Sequence, residues 1–256
     1  MILTPVFNHN YQAAKIRKNK DNSIPQKGEN TQAVTFYAFL REWMKIFLLP
    51  LSQIFKKKET TMELSLDLNK RYTYADYLTW LDDNASELID GFIKFMSPAP
   101  RLRHAIVSKN ISWNFESIVR NNKGKCKVFY APFDVRLPKN GETADDKIDT
   151  VVQPDICVIC DLSKLDDRGC CGAPDMIVEI LSFSTTRYDL LDKYNLYEAS
   201  GVKEYWVVHP LEKAINVYIL QENGKYDAGT NYEWDVKIPI HTFDNYRINL
   251  QDLFEM

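Results

Sequence analysis

From Met62 onward the apolar and polar positions switch repeatedly between a period near 3.6 and a period near 2, the patterns of helix and strand. Tyr74–Leu81 (YADYLTWL), entered through Thr73 or Tyr74, predicts a short helix. Glu87–Phe95 (ELIDGFIKF) alternates on both sides of Asp90-Gly91, which predicts a hairpin with a tight turn. In His104–Arg120, the positions Ile106, Val107, Ile111, Phe115 and Ile118 recur at mixed spacings of three and four, an amphipathic helix of about four turns. Lys127–Leu137 and Val151–Ile159 read as β-branched strands joined by a charged loop, 139–150, and a second loop spans 161–173 with Gly169 and Gly172. Asp175–Leu181 (DMIVEIL) is a strand, Thr185–Ala199 a helix stopped by Gly201, and Glu204–His209 and Ala214–Leu220 two further strands. Helices and strands mixed in this order, with strands dominating the second half, predict an α/β or α+β domain built on a largely mixed sheet.

The chain before Met62 is of another kind. Residues 1–32 are polar and rich in Asn, Gln and Lys, with no sustained period, the composition of a poorly ordered segment. Residues 33–55 can form one amphipathic helix. Charge marks the same division: residues 1–61 hold 10 Lys+Arg against 4 Asp+Glu, and residues 62–256 hold 22 against 31. We therefore divide the 256 residues into an N-terminal extension, 1–61, expected to be dispensable for folding and explicable by an upstream start, and a domain, 62–256. The net charge of −3 carries no global basic bias toward nucleic acid or anionic membranes. Ala33–Ile54 is interrupted by Arg41, Glu42, Lys45 and Pro50, which argues against a membrane span, although an interfacial helix followed by Lys56, Lys57 and Lys58 would suit an anionic surface. Five cysteines, an odd number, argue against a secreted disulfide framework and for a reducing cytoplasm. Cys157 and Cys160 have zinc-ligand chemistry, but their odd separation on one strand points them to opposite faces.

The candidate chemistry begins with Glu179, set in the apolar run Met176–Leu181. A strand this apolar is buried on both faces, where an ionised carboxylate costs several kcal/mol unless it is paired or binds a metal. An edge strand that turns Glu179 to water is the other reading. Asp155 opens a second apolar strand just after Pro154, and if the strands are neighbours the two carboxylates converge at one end of the sheet. Two acidic oxygen donors suit a hard divalent cation such as magnesium, which keeps waters that can attack a phosphate. A turn or cap role is the alternative for Asp155. Lys193 borders the stripe of Leu190, Tyr194 and Tyr197 on the second helix, with Ser184, Thr185 and Thr186 as cap candidates before it. It can reach the carboxylates or pair at the surface with Asp189.

The segments Glu87–Gly91, Pro154-Asp155, Val178–Ser182, Lys193 with Tyr197, and Gly201–Trp206 together resemble the restriction-endonuclease-like Uma-type family, a branch of the PD-(D/E)xK nuclease superfamily. The likeness runs from about Tyr72 to Phe254. It implies a restriction-endonuclease-like mixed β-sheet flanked by helices. It implies that Asp155 and Glu179 bind the metal and that Lys193 is the catalytic lysine, displaced to the following helix because Leu181 stands at the usual lysine position. Glu87 matches an acidic family position and could complete the metal site through a water, or be a surface strand glutamate. His104 matches a family histidine at a helix start, with capping or packing as the alternative to a phosphate contact. His209 departs from the aspartate usual at the end of its strand.

The expected function is Mg²⁺-dependent hydrolysis of phosphodiester bonds in DNA, with Mn²⁺ as a substitute cation. A homodimer is plausible for cutting both strands, and no stable membrane association is expected. The rival readings are a non-catalytic DNA- or partner-binding module of the same fold, favoured by the acidic balance of 62–256; a small-molecule phosphodiesterase; and a membrane-attached form anchored by residues 33–55. No Walker loop, GxGxxG or GxSxG motif is present to support another phosphate or acyl chemistry.

Overall fold

A computed structural model describes residues 66–80, 86–96, 101–121, 124–182 and 187–255. The extension, its 33–55 helix and the cap candidates Ser184, Thr185 and Thr186 lie outside the described residues. In chain order the elements are helix α1 (Tyr74–Tyr77), strands β1 (Ser86–Ile89) and β2 (Phe92–Phe95), and helix α2 (Leu102–Asn121). Strands β3 (Lys127–Tyr130), β4 (Val135–Arg136), β5 (Val151–Val152), β6 (Ile156–Ile159), β7 (Leu165–Asp166), β8 (Gly169–Cys171) and β9 (Met176–Ile180) follow. Helix α3 (Arg187–Ser200) leads to β10 (Glu204–His209), β11 (Ala214–Ile219), β12 (Thr230–Glu233), β13 (Lys237–Ile240), β14 (Tyr246–Asn249) and helix α4 (Leu250–Phe254).

Two six-stranded sheets hold most of these strands. The first runs β2-β1-β5-β4-β8-β7 and the second β12-β11-β10-β9-β6-β3, while β13 and β14 form a separate pair. Both large sheets are mixed, because β9–β10 and β4–β8 are parallel and the other pairs antiparallel. The mixed α/β class expected from the alternating periods is therefore the observed one, but in two sheets. Each long strand predicted around residue 130 and residue 155 is in fact two short strands in different sheets: β3 and β4 flank Pro132, and β5 and β6 flank Pro154. Proline has no N–H to give a ladder, so pairing stops there and the chain passes from one sheet to the other. The 161–173 loop contains the hairpin β7–β8, which its short strands hid from pattern reading.

The hairpin expected at Asp90-Gly91 is present, with both turn residues at positive φ (51° and 83°), the primed turn that suits strand twist. At α1, Thr73 and Asp76 form a reciprocal capping box. Helix α3 ends as its glycine suggests: Gly201 N–H donates to the Glu198 carbonyl and Val202 N–H to that of Tyr197, the bond pair of a Schellman end.

The second sheet is covered on both faces, which explains its continuous apolar runs. Val107, Ile111, Phe115 and Ile118 of α2 pack with Ile156, Val158, Met176, Val178, Trp206 and Val208 on one face. Leu190, Tyr194 and Tyr197 of α3 pack with Cys157, Ile159, Ile177, Tyr205 and Val207 on the other. Cys157 and Cys160 fall on opposite faces as their spacing predicts, and Cys160 is joined to Cys126. That disulfide departs from the expectation drawn from the odd cysteine count. The β3–β6 register, which ends with Lys127 opposite Ile159, brings the next two positions together at a Cα separation of 3.9 Å. Among the described residues no helix is long and apolar enough to cross a membrane.

Candidate active site

The site grows out of the β6–β9 pairing. Ile156 stands opposite Val178, so the register carries Asp155 to the position opposite Glu179, with both side chains on the face toward α3. Asp155 is fixed further by its Oδ2, which accepts from the Ile180 N–H at 2.7 Å. Glu179 lies in a central strand in which all five residues are buried, so the edge-strand reading does not apply.

Helix α3 crosses from β9 to the parallel strand β10 and lays one turn over this carboxylate. Lys193 Nζ donates to Glu179 Oε1 at 2.9 Å, and Tyr197, four residues on, donates its hydroxyl to the same oxygen at 2.6 Å. Residues four apart share a helix face, so a single element clamps one oxygen of Glu179 twice. Lys193 also donates to Glu87 Oε1 at 3.0 Å. Glu87 comes from β1 in the other sheet and is only 5% exposed, which removes the surface-glutamate alternative. Its Oε1 accepts from the Gln153 N–H at 3.0 Å as well. The segment Gln153-Pro154-Asp155, where the chain changes sheets, thus ties Glu87 to the Asp155–Glu179 pair. The Gln153 side chain continues the network to Asp134 Oδ1 at 2.8 Å and to the Tyr77 hydroxyl at 3.3 Å.

His104, in the first turn of α2, places Nε2 3.2 Å from Asp155 Oδ1. Burial opposes its charge, yet the hydrogen bond and charge of Asp155, with Glu179 behind it, raise its pKa above the ordinary value. Burial, together with the Asp155 and Glu87 carboxylates, pushes Glu179 up to about 7 against the pull of Lys193 and the Tyr197 hydrogen bond. Burial likewise acts to lower Lys193, but the two carboxylates outweigh it and hold the ammonium charged.

Lys193 is therefore in the cluster, and the side chain of Asp189, its surface alternative, lies outside the described residues. Glu87, Asp155, Glu179 and Lys193 meet as a group, with His104 at its edge. Sequence reasoning assigns no role to Tyr197 or Gln153, because a tyrosine in a packed stripe and a glutamine before a proline are ordinary there. Among the described residues no three His, Cys, Asp or Glu side chains converge as a ready metal cage. Two opposed carboxylates are nonetheless the donor set that magnesium takes, since it binds one or two carboxylates and keeps several waters.

The sequence model of a family described as "Uma2: Putative restriction endonuclease" matches residues 74–241. The fold is similar to a crystal structure from Anabaena variabilis ATCC 29413 described as "a putative nuclease belonging to DUF820", with 21% identity, a TM-score of 0.57, and coverage of 72% of this chain and 97% of that one. No curated protein matches the chain significantly.

Proposed function

The chain belongs to the Uma2 family, and from that premise and the geometry around Glu179 we propose that it hydrolyses phosphodiester bonds in DNA with a divalent cation, magnesium or in its place manganese. The observation that carries the reading is the Lys193 ammonium, 2.9 Å from Glu179 and 3.0 Å from Glu87, beside an Asp155 carboxylate that the strand register places opposite Glu179.

In this reading Asp155 and Glu179 hold the cation. When bound it supplies positive charge to a phosphate oxygen and acidifies water. Ile180 N–H and His104 keep the Asp155 carboxylate oriented, and Tyr197 does the same for Glu179. Lys193, held charged by its neighbours, orients the attacking water and offsets negative charge that develops on the phosphate. A lysine so held is a poor base, so we assign it charge and position but not proton removal. Glu87 fixes the ammonium from the opposite sheet. We place the reaction in the cytoplasm and expect two copies of the chain to act on a duplex, one per strand.

The test is cleavage of plasmid DNA with Mg²⁺ or Mn²⁺. Asp155→Ala, Glu179→Ala and Lys193→Ala should each lower the rate by at least about a hundredfold, in the range seen when one preorganised charge is removed. Equal cleavage by the three variants and the parent would sink the assignment. The acidic balance of residues 62–256 favours a second reading, a binding module of the same fold. It requires DNA or partner binding with no metal-dependent cleavage.

A further inference from the structure

Outside the carboxylate cluster lies a cavity of about 130 Å³ lined by Arg103, Ile106, Val107, Pro210, Lys213 and Phe254. Ile106 and Val107 of α2, Pro210 just after β10 and Phe254 of α4 make an apolar floor. Arg103 and Lys213 are exposed at its rim, and neither side chain forms an ion pair or hydrogen bond with a described residue. Lys139, Arg168, Lys203 and Lys225 of the same domain, in which acids outnumber bases 31 to 22, are by contrast paired with carboxylates. Two uncompensated cations facing one cavity repel each other and favour an anion between them.

The cavity lies at the end of the second sheet where Asp155 and Glu179 stand, on the α2 side, while the two carboxylates face α3. Arg103 precedes His104, which reaches Asp155 at 3.2 Å. Pro210 and Lys213 follow β10, whose Val207 and Val208 pair with Glu179 and Ile180. A polymer with one phosphate at the carboxylates would carry its next phosphates along this edge, and sugar faces suit an apolar floor. A single small phosphate ester would have no group to put there.

We propose that this cavity is a backbone subsite for DNA, in which Arg103 and Lys213 neutralise phosphate flanking the one to be cleaved. The inference rests on the nuclease reading and adds to it the part of the substrate held away from the reacting atoms. Fluorescence anisotropy of a short labelled duplex, measured over a salt series without Mg²⁺, reads the subsite; hydrolysis of bis(p-nitrophenyl) phosphate with Mg²⁺ or Mn²⁺ reads the chemistry. In the full chain, Arg103→Ala/Lys213→Ala should weaken duplex binding roughly ten- to a hundredfold at about 0.1 M salt and flatten the log–log salt slope by about 1.8. Hydrolysis of the small ester should stay unchanged, and Arg103→Lys/Lys213→Arg should restore the slope. An unchanged affinity and slope, or an equal loss on duplex binding and ester hydrolysis, would overturn the subsite. Parent protein that hydrolyses neither DNA nor the ester, while its DNA binding still depends on the two cations, would overturn the nuclease reading and leave the subsite standing.

Discussion

Glu179 sits where its own strand is least able to solvate it, between apolar neighbours on both faces. Its stabilisation comes from two residues of α3, Lys193 and Tyr197, which donate to the same carboxylate oxygen. Asp175, one residue before the same strand, is the opposite case. Burial alone would raise its carboxyl, but hydrogen bonds from Lys203 Nζ and the Cys160 N–H, both 2.7 Å long, hold it below the usual range. A carboxyl depressed on folding adds stability that is fully present above its unfolded pKa, about 3.9, and is lost as pH falls through the folded value. In urea melts, the parent should therefore gain stability over Asp175→Asn as pH rises toward about 4, and the difference should stay level from there to neutrality. A difference that kept growing between pH 5 and 7 would mean another group is responsible. At this scale the anomalies were readable: a glutamate in an apolar strand and a lysine beside an apolar helix stripe. The Tyr197 and Gln153 contacts were not, because a tyrosine in a packed stripe and a glutamine before proline have ordinary explanations.

Elements were predicted well where an apolar face repeats over several turns, as in α2 and α3, and poorly where strands shorten to two residues. β4, β5 and β7 are too short to show a period, and only Pro132 and Pro154 marked the interruptions. The C-terminal helix shows how a short element depends on a neighbour. α4 spans five residues, too few to be stable alone, and the Asn110 side chain of α2 donates to the carbonyls of Asp252, Leu253 and Glu255 at 3.4, 3.3 and 2.9 Å. Carbonyls at a helix end need such partners. Asn110→Ala should cost about 1 kcal/mol, the net value of hydrogen bonding of this kind. Amide exchange at residues 250–254 should accelerate, with exchange in β9 following only the global change. Protection at 250–254 equal to that of the parent would show that packing on α2 suffices.

For the whole molecule, the division near Met62 makes a simple demand. All the residues of the proposed chemistry, of both sheets and of the DNA subsite lie after it, so a chain starting at Met62 should express in soluble form and melt within a few degrees of the full chain. Aggregation or loss of the far-ultraviolet circular dichroism signal would show that residues 1–61 are needed to fold. By itself the sequence determined the class of fold, the periodic elements and three chemically anomalous residues, because period, proline position and a charge in an apolar run are local properties. It could also connect scattered segments to a nuclease family. Only the tertiary structure decided that the chain forms two large sheets, that Glu87 crosses from one sheet to meet Lys193 on a helix of the other, and that Arg103 and Lys213 face one cavity. Those are meetings of residues far apart in the chain, and their partners follow from strand register and crossover path, which no local pattern encodes.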